Sequence, residues 1–158
     1  MNQSRLLIAF TALAVSAAAY AMSEMPYHGE GHIMLNASEL EWGPIASMAP
    51  GAQFVLLEGD LGKDEPFTFR LKLPAGYVLA PHIHPAYERV TVLSGTFHFG
   101  HGRTLDRAQT MALEPGGFAV MAPGEPMFGF TDEPTVIQLH GKGPWGIEYL
   151  DPADDPRR

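Results

Sequence analysis

An all-β barrel or sandwich is the fold class this chain predicts, on three observations. Short runs rich in β-branched and aromatic residues recur along it, "AQFVLLEGD", "PFTFRLKLPAG", "YERVTVLSG", "GTFHFGHG", "GFAVMAPG" and "PTVIQLHG", each closed by Gly, Pro or Asp. Nothing between them has the period of an amphipathic helix. With 17 glycines and 14 prolines in 158 residues the chain is turn-rich. The length suits one domain, and with no internal repeat a single barrel is expected rather than two.

The elements follow in order. Residues 1–21, "MNQSRLLIAFTALAVSAAAYA", carry one basic residue, Arg5, then an apolar stretch from Leu6 to about Ala19 and small residues at Ala19 and Ala21. That is the layout of a secretory leader, and the stretch falls short of the ~20 residues of a membrane span; an uncleaved anchor is the alternative. Residues 22–50 are rich in Met, Gly and Pro without sustained periodicity, and read as an N-terminal arm with Trp42 as its anchor. Residues 51–150 hold the strand-like runs and form the barrel, and residues 151–158, "DPADDPRR", are a charged tail. The expected address is secreted, in the bacterial periplasm, with no membrane attachment of the mature chain.

Composition excludes several classes. A net charge of −8 and no cluster of Lys or Arg argue against nucleic acid. The chain has no cysteine, so neither a disulfide nor a thiol nucleophile is available. No Gly-x-Ser-x-Gly elbow is present, and no phosphate-cradling glycine loop opens a helix.

The stretch that carries chemistry is "PHIHPAYERVTVLSG", residues 81–95. His82 and His84 are one residue apart, so a strand projects both to one face. In the next predicted strand, Tyr87 to Leu93, Glu88 shares a side with Val90 and Val92, which makes that side the interior. An unpaired carboxylate there costs several kcal/mol. A divalent cation shared with the two imidazoles removes that cost and accounts for all three residues.

The spacing Gly76, five residues, His82, one, His84, three, Glu88, six, Gly95 resembles the first signature of the cupin superfamily. Its second signature, glycine, five residues, proline, one, glycine, two, histidine, is met by Gly116, Ala122, Gly124 and Met127, with alanine and methionine at the proline and histidine positions. The flanking text "RLKLPAGY" and "VIQLHGKGPWGIEYLDPADDP" resembles small cupins of the cupin-2 type. The resemblance implies a single cupin barrel (a double-stranded β-helix, or jelly roll) with an N-terminal arm, one divalent metal ion held by His82, His84 and Glu88, and a homodimer. Because the fourth ligand position is Met127, three readings stay open. The three protein ligands suffice, as in oxygen-activating Fe(II) sites. The Met127 thioether ligates, which favours copper. Or His140 replaces the missing histidine, if it and Gln138 face inward. Among Fe, Cu, Mn, Ni and Zn, iron and copper are favoured.

Phe128, Phe130, Met121, Met127 and Val120 are candidates for an apolar pocket wall, and Glu88 for a base as well as a ligand. His98 alternates with Phe97 and Phe99 and is expected to face outward, while His28, His32 and His101 are expected in solvent. Arg70 is expected on a strand's solvent face. Two functions are consistent with these residues: an oxygenase-type enzyme acting on a small, partly apolar substrate, and a non-catalytic binder of copper or a small molecule.

Overall fold

The computed structural model describes residues 25–158. The leader expected over residues 1–21 lies outside them, as does Met22 of the arm. Eleven strands are formed among the described residues: β1 (Gly43–Pro44), β2 (Gln53–Glu58), β3 (Pro66–Leu73), β4 (Val78–Ile83), β5 (Glu88–Ser94), β6 (Phe97–His101), β7 (Thr110–Leu113), β8 (Phe118–Met121), β9 (Met127–Phe130), β10 (Thr135–Lys142) and β11 (Glu148–Tyr149). They pair antiparallel in two sheets, ordered β1-β2-β3-β10-β5-β8 and β11-β4-β9-β6-β7. This is the expected all-β jelly roll.

Alternation decides which residues enter the space between the sheets. In β3, Phe67, Phe69, Leu71 and Leu73 are buried while Thr68, Arg70 and Lys72 are partly exposed. In β5, Glu88, Val90 and Val92 point inward as expected. Strand β10 lies between them, with Leu139 opposite Phe69 on one side and Val90 on the other. Each such fully buried aliphatic or aromatic side chain contributes about 1.5–3 kcal/mol. Between β5 and β6 the chain turns at Gly95 with φ +71°, where a Cβ would stand 2.5 Å from the Pro134 carbonyl oxygen. Both the backbone conformation and the space require glycine there.

Strand β4 departs from simple alternation. Its register with β9 shifts between Leu79 and His82, so an extra residue is taken up and both side chains face the interior. His84 follows the last residue of β4 and turns the same way, and its carbonyl accepts a hydrogen bond from Gly124 N–H at 2.9 Å.

The arm lies on the barrel. Tyr27 bridges Glu58, and β1 pairs with β2. Trp42 lies under the Lys72 ammonium, 4.4 Å from its ring centroid. Further along, the Tyr77 hydroxyl donates to Ala49 O at 2.9 Å and the Tyr149 hydroxyl to Ser47 O at 3.0 Å. Burial pushes both phenols up, Tyr149 to about 12, so they stay protonated and able to donate. Between these two pins Met48 is buried in the core. Among the described residues no helix is long and apolar enough to cross a membrane.

Candidate functional site

A small cavity lies between the sheets. Leu71, Leu79, Val90, Phe97, Ile137 and Leu139 make most of its wall, and His82, His84 and Glu88 are the titratable groups that reach it. All three are almost fully buried. Gly129 helps shape the wall: a Cβ there would stand 2.4 Å from Phe97 Cζ, so the glycine is what makes room for that ring.

The two imidazoles meet through Nε2 at 3.1 Å. Each Nδ1 faces a carbonyl oxygen, His82 to Ala80 O at 2.7 Å and His84 to Gly146 O at 2.6 Å. A carbonyl only accepts, so both Nδ1 atoms carry hydrogens and both Nε2 atoms are left as acceptors in the neutral rings. Two acceptors at that distance repel unless a positive charge, a proton or a cation, stands with them. Burial opposes the proton: it lowers the His82 pKa to about 3, aided by His84 and resisted by the hydrogen bond to Ala80 O.

Glu88 completes the cluster. Its Oε2 lies 3.5 Å from His84 Nε2 and accepts a hydrogen bond from the Trp145 indole at 2.7 Å. Burial pushes the carboxyl up, and His84 and the indole bond pull it back. Among the described residues no group of three or more His, Cys, Asp or Glu side chains stands in the arrangement of a formed metal site. The imidazole pair is already poised for one; Glu88, by contrast, has its Oε2 committed to Trp145. As a donor set, two neutral imidazoles and one carboxylate in an otherwise apolar cavity suit a divalent ion.

The structure separates the remaining candidates. Met127 stands opposite His82 in the β4–β9 register and lines the cavity. His140 and Gln138 do not face inward: in β10 it is Ile137 and Leu139 that line the cavity, and the intervening residues project to the outer face. There Gln138 Oε1 accepts from Arg70 Nε at 3.0 Å. His140 Nδ1 is buried without a hydrogen-bond partner among the described residues, on the side of the sheet away from the cavity.

The expected apolar wall is also corrected. Phe128 and Phe130 lie across β9 from Met127: Phe128 fills the space a Cβ on Gly100 would take, and Phe130 stacks on His98 with ring centroids 4.4 Å apart. Val120 is 47% exposed. Met121 faces inward opposite Glu88 and is buried in the core without lining the cavity. His98 faces outward as expected, and His28, His32 and His101 are exposed.

One contributor escaped the sequence reading. Trp145 stacks on His84, with ring centroids 5.0 Å apart and planes inclined by 19°, besides binding Glu88. A large aromatic inside the small-residue turn "GPWG" was a signal that could have drawn attention. Met48, one of the methionines of the arm, enters the cavity from there.

Two packed antiparallel sheets, with the His-x-His pair and the glutamate brought together between them, define a small cupin domain. A family model described as the ChrR cupin-like domain matches residues 30–119, more than half of the chain, and the chain belongs to that family. No curated protein matches the sequence. Solved structures share the fold. The polyketide cyclase RemF from Streptomyces resistomycificus matches with a TM-score of 0.65 and 16% identity over 80% of this chain and 91% of that one. The DMSP lyase DddQ from Ruegeria pomeroyi matches with a TM-score of 0.58 and 21% identity, over 72% and 62%. A salicylate 1,2-dioxygenase from Pseudaminobacter salicylatoxidans matches with a TM-score of 0.54 and 16% identity, over 66% and 32%. At these identities the likeness is one of fold, and a fold hosts many chemistries.

Proposed function

We propose that this cupin binds one divalent metal ion at His82, His84 and Glu88 and acts as an oxygenase-type enzyme on a small, oxygen-bearing, largely apolar molecule. The observation that carries the reading is the pair of Nε2 atoms 3.1 Å apart, both Nδ1 positions being taken by carbonyl oxygens. Such a pair asks for a cation, and burial disfavours a proton as that cation.

Fe(II), if held by His82, His84 and Glu88, would supply redox chemistry with O₂. The protein's own residues do the rest. The carbonyls of Ala80 and Gly146 fix the tautomers, so both rings present an unprotonated nitrogen. Glu88 brings the compensating negative charge. Among the described residues lining the cavity it is also the only carboxyl, and therefore the group placed to take or return a proton. Leu71, Leu79, Val90 and Ile137 exclude water and hold the apolar part of a substrate. The small volume selects molecules of few heavy atoms. The folds that the chain resembles include a protein described as a salicylate 1,2-dioxygenase; that likeness is compatible with the reading and does not choose the substrate.

A second reading is favoured by one further observation: Met48 and Met127 line the same cavity as the imidazoles. Thioethers are soft donors, so a copper-binding protein without turnover follows if they ligate. Elemental analysis of protein recovered from a periplasmic preparation, with His82→Ala and Met127→Ala beside it, tests both. Iron at one equivalent, lost in His82→Ala and kept in Met127→Ala, is the expected result. Copper lost in both variants supports the second reading. No metal in the wild type, even after refilling, refutes both. Oxygen uptake with small diketones, phenols and thiols then tests turnover, and no consumption with any of them refutes the oxygenase.

A further inference from the structure

We infer that Trp145 is a positioning residue for the His84 and Glu88 half of the site: its indole N–H fixes Oε2 of Glu88, the oxygen 3.5 Å from His84 Nε2, and its ring face fixes the plane of His84. The inference rests on the metal-binding reading above.

The segment around Trp145 controls the site in three ways. The indole donates to Glu88 Oε2 at 2.7 Å. The ring stacks on His84 at 5.0 Å. One residue on, Gly146 O accepts a hydrogen bond from His84 Nδ1–H at 2.6 Å. The backbone of this segment is tied down in turn, with Gly143 N–H on Glu65 O at 2.9 Å and Trp145 N–H on Leu61 O at 2.7 Å. On its remaining sides the indole meets Phe69 edge-on at 4.9 Å and Phe67 at 6.0 Å. The ring therefore has one seat, and the carboxylate and imidazole it touches are set by it.

The chemistry of the indole makes this more than packing. An indole N–H donates and never accepts, so it holds a carboxylate oxygen without competing as a ligand. A hydrogen-bonded carboxylate keeps its rotation fixed, which is what a ligand needs if it is to meet an ion at one defined place. His82, by contrast, is oriented by the carbonyl of Ala80, two residues before it in its own strand. One half of the site is thus set locally by β4, and the other half by a loop more than fifty residues further along the chain.

The test uses Zn²⁺ as the probe, titrated against a chromogenic chelator into metal-free protein. Trp145→Phe keeps a ring and removes the donor, and it is expected to weaken Zn²⁺ binding by about 10- to 100-fold, the usual cost of losing a partner that orients a ligand. Trp42→Phe, remote on the arm, is expected to leave affinity unchanged. A merely structural role is separated by a double-mutant cycle: with Glu88→Ala already present, which leaves the indole no oxygen to hold, Trp145→Phe is expected to cost less than about twofold. A full cost in that background overturns the inference. Should Trp145→Phe fail to fold, NMR of the otherwise intact protein decides. The chain has two tryptophans, so Trp42→Phe identifies the Trp145 indole signal. That signal is expected to exchange slowly and to shift on Zn²⁺ saturation; a fast-exchanging signal unmoved by Zn²⁺ overturns the inference. Zn²⁺ uptake by the wild type with unchanged affinity in Trp145→Phe refutes the role of Trp145 alone. No uptake by the wild type refutes the metal reading and this inference together.

Discussion

Replacing Glu88 by Gln isolates the proton behaviour of His82, and the outcome tests whether its Nε2 stays unprotonated. In the unfolded chain an imidazole titrates at its ordinary value of 6.5, whereas folded His82 is lowered to about 3. Between those values the unfolded state binds a proton that the folded state refuses, so stability falls as pH falls. Each pH unit in the window is worth about 1.4 kcal/mol, and the whole window on the order of 5 kcal/mol. Glu88 acts with the opposite sign. Its raised folded pKa keeps a proton that the unfolded carboxyl has lost above 4.5, a contribution present at low pH and lost as pH rises. The wild type is therefore expected to show an acid slope no steeper than the variant's, and shallower wherever Glu88 titrates in the same window. Glutamine keeps an oxygen for the Trp145 indole, so the fold is retained. Urea denaturation of chelator-treated protein between about pH 7 and about pH 5 measures both profiles. Adding His82→Gln to the variant is expected to flatten it again. A flat Glu88→Gln profile shows that His82 takes up a proton inside the folded protein. The 3.1 Å contact is then an ordinary imidazolium hydrogen bond, and the case for a metal loses its main support.

Three further outcomes are expected. Gly129→Ala forces a methyl to within 2.4 Å of Phe97 Cζ; overpacking of this kind costs about 1–3 kcal/mol, and an unchanged urea midpoint would show that the cavity wall yields freely. Tyr149→Phe removes the hydrogen bond to Ser47 O and is expected to cost about 1 kcal/mol, with faster proteolysis of the arm; equal proteolysis rates in variant and wild type count against the pinning. Saturation with metal at 100 times Kd is expected to stabilise the wild type by about 2.7 kcal/mol over the chelated protein and to leave His82→Ala/His84→Ala unmoved, which paired thermal melts check.

Much of the barrel was legible because its inner strands alternate. "PFTFRLKL" separates apolar from polar residues at every second position, and so does "ERVTVL" once Glu88 is accepted as an interior residue. Strand β9 was not legible, since Met-Phe-Gly-Phe is apolar on both faces and periodicity cannot say which face is in. That is why Phe128 and Phe130 were expected in the cavity while Met127 alone of the three lines it. In β10 one open reading turned Gln138 and His140 inward to replace the missing fourth ligand, yet ordinary alternation with Ile137 and Leu139 sends them outward. The convergence of His82, His84 and Glu88 was visible as a spacing. The indole that grips the third of them was not, since a contact between residues 57 apart leaves no local pattern.

The seat of Met48 has a bearing on how such a protein can change over time. The barrel supplies the reactive groups, but one face of the chamber belongs to a peptide that precedes it and is fastened by two tyrosine hydroxyls. Residue 48 can be exchanged for a smaller or larger one without disturbing a single hydrogen bond of either sheet. Ligand preference in this scaffold is therefore free to drift through its forward segment while the chemistry behind it stays as it is.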